Sequence, residues 1–312
     1  MLELNHVSVE FMSDNNVLAV DDVSLRLLDG SRTAIIGETG SGKSVLLLAI
    51  LRLLPPNAVV SGSIAADGED LLAADSKRMQ QIRGGIISYI PQGGGASLNP
   101  LLKVGFQVGE PLIEHRKYTK RQAFEASIPL LRRFNLSHEE ELAYSYPHTF
   151  SGGMRQRAMV AMGIAAGPKI VLADEPTKGL DEKRVRMVAD ALDLIEDETL
   201  LCVTHDINFA KSVGRDICVM YAAQQVEFGD SKEVIGHPLH PYTRNMMAAM
   251  PENGMRYQES GFAPSHDSYT DEAGGCRYLN RCREHMERCA VTPPLFDING
   301  HKVRCWKYAS SN

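Results

Sequence analysis

The sequence has no surplus of basic charge: 33 Lys and Arg face 39 Asp and Glu, for a net charge of −6. Nucleic-acid binders usually show a basic excess, so no nucleic-acid partner is expected. It also has no apolar run long enough to cross a bilayer. The longest, VLLLAILRLLPP at 45–56, is interrupted by Arg52 and stopped by Pro55. The first residues, MLELNHVSVEF, carry an acid and a histidine where a signal peptide would have a basic region and an apolar stretch. A soluble, cytoplasmic chain is expected. No internal repeat is present. Among the six cysteines there is no short C-x2–4-C pair of the kind that structural zinc sites carry.

A chain of 312 residues, 44% hydrophobic and 23% charged, can build one large domain with an appendage. LELNHVSVEF roughly alternates in polarity, and SLRL runs into Asp29-Gly30; both read as strands. TAIIG is a short strand ending at glycine, and SVLLLAILRLL has the length and composition of a helix. GSIAADGEDL reads as a strand with an Asp-Gly turn. Residues 106–165 are mostly helical in character. KIVLAD and TLLCVTHD are apolar strands with polar ends, and DICVMYAAQQVEFGD is a closing hairpin. Strands alternating with helices, several of them continuously apolar, predict an α/β fold with a buried sheet. After Pro251 the composition turns polar and rich in breakers, marking a linker or a weakly ordered excursion.

Residues 37–44, GETGSGKS, fit G-x-x-x-x-G-K-[ST] between a strand and a helix. Such glycines let backbone N–H groups wrap phosphate oxygens, and the helix N-terminus adds partial positive charge. Gly37, Thr39, Gly40, Ser41 and Gly42 form the cradle. Lys43 reaches the β- and γ-phosphates, and the Ser44 hydroxyl ligates Mg²⁺. The bland reading, a chance glycine-rich turn, is weak in this context. KIVLADEP at 169–176 ends an apolar strand in Asp174 and Glu175. Asp174 is expected to hold Mg²⁺, and Glu175, pointing another way, to polarise an attacking water.

FSGGMRQR at 150–157 lies between these two motifs. Here the chain clearly resembles the ATP-binding subunit of an ABC transporter, over nearly its whole length. The resemblance implies a P-loop nucleotide-binding domain over 1–250, with a helical subdomain at about 93–160. It leaves 251–312 as a small C-terminal extension for a metal or cluster. It also implies roles for single residues. Ser151, Gly152 and Gly153 match the signature, with Met154 where many members carry glutamine. Gln92, in YIPQ, matches the glutamine that senses Mg²⁺ and the γ-phosphate and couples to the permease. Asp181, in GLD, matches the D-loop. His205, in VTHD, matches the switch histidine on the γ-phosphate, and Phe11 the aromatic that stacks on adenine. Taken singly, Phe11 and His205 would more often be ordinary strand residues. The family geometry sets the signature of one cassette against the phosphate loop of another, so a single cassette implies a partner cassette.

SLNP at 97–100, HPLHPYTRNMMAAMP at 237–251 and the cysteine-bearing tail resemble the peptide/nickel importer branch. That branch implies two permease subunits, an extracytoplasmic binding protein and a place on the cytoplasmic face of the membrane. Its cargo is di- or oligopeptides, nickel or a nickel chelate. GGGA at 93–96 and EPTKGLD depart from the usual pattern of the branch and raise the weight of nickel. Cys276, Cys282, Cys289 and Cys305 can surround one metal centre. Similarity to the dipeptide-importer ATPases favours a [4Fe–4S] cluster; Zn²⁺ and four free thiols are the alternatives. Cys202 and Cys218 lie in apolar strands and read as core. The competing classes are a soluble ABC ATPase acting on ribosomes or DNA and an exporter cassette. The first usually has tandem cassettes or long insertions, and the second would lack the HPYT stretch and the cysteine tail.

Overall fold

A computed structural model describes residues 1–92, 97–195, 197–251 and 274–309. The strands are β1 (Leu2–Phe11), β2 (Val17–Leu27), β3 (Arg32–Ile36), β4 (Ala58–Ala66), β5 (Glu69–Asp70), β6 (Ile87–Ile90), β7 (Ile170–Asp174), β8 (Thr199–Val203), β9 (Asp216–Tyr221), β10 (Gln224–Asp230), β11 (Phe296–Ile298) and β12 (His301–Val303). The helices are α1 (Lys43–Ile50), α2 (Ser76–Gly85), α3 (Val104–Arg116), α4 (Lys120–Arg133), α5 (Glu139–Tyr144), α6 (Gly152–Ile164), α7 (Glu182–Asp193), α8 (Ile207–Val213), α9 (Ser231–Gly236) and α10 (Pro241–Ala248). Among the described residues no helix is long and apolar enough to cross a membrane.

The chain divides into two compact units. The first comprises residues 1–2, 27–32 and 66–213. Its β6, β7 and β8 are parallel, with Ile87 facing Ile170 and Ile170 facing Thr199. Every residue of β7 and β8 is buried, which is why they read as continuous apolar runs rather than alternating ones. Helices α3 to α8 supply a second apolar layer. Val104, Val108, Phe124, Leu131, Val160 and Leu192 meet in one core with Val171 and Leu200. Fully burying a side chain of this size contributes about 1.5–3 kcal/mol. Helix α4 starts at a capping box in which Thr119 and Gln122 satisfy each other's backbone N–H groups.

The second unit comprises residues 3–26, 33–65 and 214–312. Its strand order is β4-β1-β2-β10-β9-β3, and β12 adds antiparallel to β10 with β11 beyond it. The hairpin β9–β10 turns through Ala222 and Ala223, both at positive φ, 52° and 70°. That is the backbone of a tight mirror-image turn, made here without the usual Asn-Gly. The expected helix after the phosphate loop is shorter than its apolar run. It ends at Ile50 because Arg52 takes a left-handed φ of 50° ahead of Pro55. The polar linker at 252–273 and the GGGA departure at 93–96 lie outside the described residues. Residues 274–309 belong to the second unit.

Candidate active site

In the second unit, β3 feeds loop 37–42 and the loop feeds α1. Gly42 caps α1 at φ 94°, and a Cβ there would sit 2.1 Å from the Ala19 carbonyl oxygen. Gly37 is equally constrained: a Cβ would lie 2.1 Å from the Met220 carbonyl oxygen. The close packing of loop on strand therefore admits only glycine at both positions. Lys43 is buried inside the loop. Its Nζ donates to the carbonyls of Gly37 and Glu38 at 2.9 and 2.7 Å and to Ser41 Oγ at 3.3 Å. Thr39 and Gly40 are exposed at the loop tip, Ser41 is buried, and Ser44 stands partly exposed in the first turn of α1. Phe11, half-buried, closes β1.

In the first unit, β7 ends at Asp174, which is buried, and the Tyr89 hydroxyl donates to its Oδ2 at 3.0 Å. Burial, then the Asp174 charge, pushes the Tyr89 hydroxyl well above its ordinary pKa, so it stays a donor. Glu175 follows at φ 41°, a conformation that L-residues adopt rarely and that clusters at functional sites. Its N–H donates to the Val203 carbonyl at 2.8 Å, which fixes the turn against β8. Glu175 Oε2 lies 3.4 Å from His205 Nδ1 and 3.6 Å from Lys178 Nζ. Among the described residues this buried oxygen accepts no hydrogen bond. His205 follows β8 and is half exposed. The turn that carries it is pinned by the Asp206 N–H on Thr204 Oγ1 and by Phe209 N–H on Asp206 Oδ1, both at 3.0 Å. Gln92 is exposed two residues past β6, whose Ile90 pairs with Ala173 of β7. Gln92 and Asp174 thus leave neighbouring parallel strands at the same end. Carboxylate and amide oxygens here, like the Ser44 hydroxyl, are the hard donors that suit Mg²⁺.

Ser151 caps α6, its Oγ accepting from the Met154 N–H at 3.2 Å. Gly152 and Gly153 form the first turn, where free N–H groups and the helix dipole favour an anion. Asp181 caps α7 through the Arg184 N–H at 3.0 Å, and its other oxygen pairs with Arg184 Nε at 3.2 Å. The Arg184 guanidinium reaches the signature, with Nη1 3.5 Å from where a Cβ on Gly152 would be. A cation and a helix N-terminus therefore stand together at the signature, in register with Asp181.

The tail is held by short-range structure. The Cys276 N–H donates to the Cys289 carbonyl at 2.8 Å, and 3-10 turns at Leu279–Arg281 and Glu287–Ala290 carry the intervening residues. None of the four thiols is in a disulfide. Burial, joined by the charges of Cys289, Cys305 and Cys282 and opposed by a backbone hydrogen bond at Tyr278, pushes the Cys276 thiol up to about 11. Four thiols are by their chemistry the donor set that a cluster or zinc takes. Among the described residues, however, no three Cys, His, Asp or Glu side chains are set to hold one metal ion. Cys202 and Cys218 are fully buried core residues, as their strands imply.

The model of the family described as ABC transporter matches residues 20–178, which spans both the phosphate loop and the Asp174-Glu175 strand. The chain belongs to the ABC transporter family. A second family model, the oligopeptide/dipeptide transporter C-terminal region, matches residues 226–289. The oligopeptide transport ATP-binding protein OppD of Haemophilus influenzae is 34% identical, covering 98% of this chain and 97% of its own. The oligopeptide transport ATP-binding protein AppD of Bacillus subtilis is also 34% identical, over 99% and 97%. Among solved structures, the dimeric post-hydrolysis state of the ATP-binding cassette MJ0796, bound to ADP and Pi, superimposes with a TM-score of 0.65. It is 28% identical and covers 74% of this chain and 99% of its own. The fold is therefore that of a P-loop ABC cassette.

Tyr89, Lys178 and Arg184, which contact Asp174, Glu175 and Asp181, were not among the residues expected from sequence. Tyr89 lies three residues before Gln92, and Lys178 is one of the two positions at which EPTKGLD departs from the usual pattern. Proximity to the motifs was their only signal.

Proposed function

We propose that this chain is the ATP-hydrolysing subunit of a binding-protein-dependent importer of di- and oligopeptides. The observation that carries the reading is Glu175. Its buried carboxylate has one oxygen free of protein hydrogen bonds, 3.4 Å from His205 and beside the acid that ends β7. An acceptor so placed takes a proton from an attacking water, and burial strengthens its field. Lys43 and the loop N–H groups hold the β- and γ-phosphates, and Phe11 stacks on adenine. His205 contacts the γ-phosphate and orients the water with Glu175. Ser44, Gln92 and Asp174 hold Mg²⁺, which when bound neutralises charge on the phosphates.

Ser151, Gly152, Gly153 and Asp181 serve the ATP of a second cassette, most simply a different chain. The dimer described for MJ0796 supports the two-cassette reading. Two permease subunits complete the transporter at the cytoplasmic face, where this chain is peripheral. Exposed Leu101, Leu102 and Phe106 in the first unit, with Tyr144 and Tyr146, give an apolar surface of the kind a permease covers. The names of the curated relatives and the matched C-terminal region favour peptides over nickel, and an importer over a soluble or exporter cassette. The division into a cassette at 1–250 and an extension at 251–312, with a helical part at about 93–160, fits this assembly. In the extension Cys276, Cys282, Cys289 and Cys305 would have to draw together to hold a [4Fe–4S] cluster, with zinc as the alternative. Iron, sulfide and zinc analysis of anaerobically purified chain tests that part: stoichiometric zinc without iron refutes the cluster. The whole reading is tested by ATP hydrolysis in the assembled transporter, which peptide-loaded binding protein must stimulate.

A further inference from the structure

The tail reaches the phosphate loop. Arg281 stands in the 3-10 turn between Cys276 and Cys282, and its Nη1 donates to both carboxylate oxygens of Glu38, at 3.1 and 3.2 Å. Glu38 is the second residue of the loop. The same Nη1 lies 3.4 Å from the Tyr221 hydroxyl, and the guanidinium sits 5.6 Å from the ring centres of Tyr221 and Tyr278. Tyr221, Tyr242 and Tyr278 pack on one another with centroids 4.5–5.6 Å apart. The Tyr242 hydroxyl accepts the Glu38 N–H at 3.1 Å, and the Tyr278 hydroxyl accepts from Asn245 at 2.6 Å.

Glu38 is thus held at two points, its backbone by Tyr242 and its carboxylate by Arg281. Its carbonyl in turn receives the Lys43 ammonium. An unpaired carboxylate beside a triphosphate repels it. Arg281 neutralises that charge and draws it towards the tail. Its side chain is only 15% exposed, a costly place for a cation unless stacking and pairing offset the desolvation. A plain surface ion pair would need neither the aromatic seat nor the burial, and a planar guanidinium fits this seat as an ammonium would not.

We propose that Arg281 is a positioning residue for the phosphate loop, so that order in the cysteine-bearing tail and binding of a nucleoside triphosphate are coupled. The coupling is reciprocal: what orders the tail tightens ATP, and ATP tightens the tail. The inference rests on the reading of residues 37–44 as the phosphate loop.

The test is ATP affinity of the purified full-length chain, by equilibrium binding, in R281A, E38Q, the double variant, R281K and K43A. R281A should weaken ATP about 5- to 20-fold, within the ordinary range of coupling between sites. In the E38Q background the same change should cost less than about twofold, because the charge it neutralised is gone. R281K should recover part of the loss. Hydrogen exchange over residues 276–289 should slow when ATP is added to the parent chain and not in R281A. A merely structural arginine would lower the melting temperature equally in both backgrounds and leave the ATP-dependent exchange intact, which would overturn the proposal. K43A separates the two layers. If K43A binds ATP as the parent does, the loop reading fails; if K43A loses ATP while R281A keeps it, only the coupling fails.

Discussion

Glu175 Oε2 stands 3.4 Å from His205 Nδ1, just beyond the ends of the neighbouring parallel strands β7 and β8. The two side chains are set by different means. Glu175 is placed by a left-handed backbone and its N–H on Val203, and His205 by the Thr204–Asp206 turn. Replacing Glu175 with Gln keeps the shape and removes the base. ATP turnover in the assembled transporter should fall about 10²- to 10⁴-fold while ATP still binds. Hydrolysis at the parent rate would remove Glu175 from the chemistry.

Tyr89 holds Asp174 by a single hydrogen bond, so Tyr89→Phe deletes that bond and little else. Partners that orient a metal ligand commonly change metal affinity about 10- to 100-fold. Affinity for Mn²⁺ in the presence of nucleotide, followed by electron paramagnetic resonance, should fall about tenfold. Unchanged Mn²⁺ affinity would mean that the hydroxyl does not orient the acid.

Glu227 is fully buried and gathers three donors: Leu239 N–H at 2.7 Å, His240 N–H at 2.9 Å and His301 Nε2 at 2.7 Å. It ties β10 to the HPYT helix and to the tail hairpin. Glu227→Ala strands these groups in a dry interior, at about 1–3 kcal/mol for each one left unsatisfied. Urea unfolding should show a loss of about 3 kcal/mol or more, and Glu227→Gln should lose less because it keeps one acceptor. Equal stability of Glu227→Ala and the parent would contradict this role.

His240 caps α10, its Nδ1 accepting from the Tyr242 N–H at 3.1 Å. Burial lowers its pKa from 6.5 to about 4, against the pull of Glu227 and with the help of Arg244. The folded chain keeps it neutral while the unfolded chain protonates it, so its contribution is present above pH 6.5 and is lost as pH falls towards 4. The loss is about 3 kcal/mol across that window. His240→Asn keeps a capping acceptor and should flatten the pH dependence of unfolding there. A parent chain equally stable at pH 6.5 and pH 4.5 would rule this out.

Much of this was legible along the chain because it is local. The phosphate loop needs glycine where loop meets strand, as Gly37 and Gly42 demonstrate, and buried parallel strands must be continuously apolar, as β7 and β8 are. The end of α1 was less legible. An apolar run continues through Leu54, and only the left-handed Arg52 stops the helix. The partners of Glu38 and Asp174 were hidden for a different reason. Arg281 lies 243 residues from Glu38 and Tyr89 lies 85 from Asp174, and neither pairing has a sequence period to betray it. The four cysteines suggested one metal centre, but among the described residues no three Cys, His, Asp or Glu side chains are set to hold a metal ion.

Under the proposed function, peptide delivery drives this chain's ATP hydrolysis. The direct test is ATP turnover of the reconstituted transporter with its binding protein empty, loaded with short peptides, or loaded with nickel or a nickel chelate. Stimulation by the peptide-loaded form, abolished by Glu175→Gln, is the predicted result. Stimulation by the nickel-loaded form alone would contradict it.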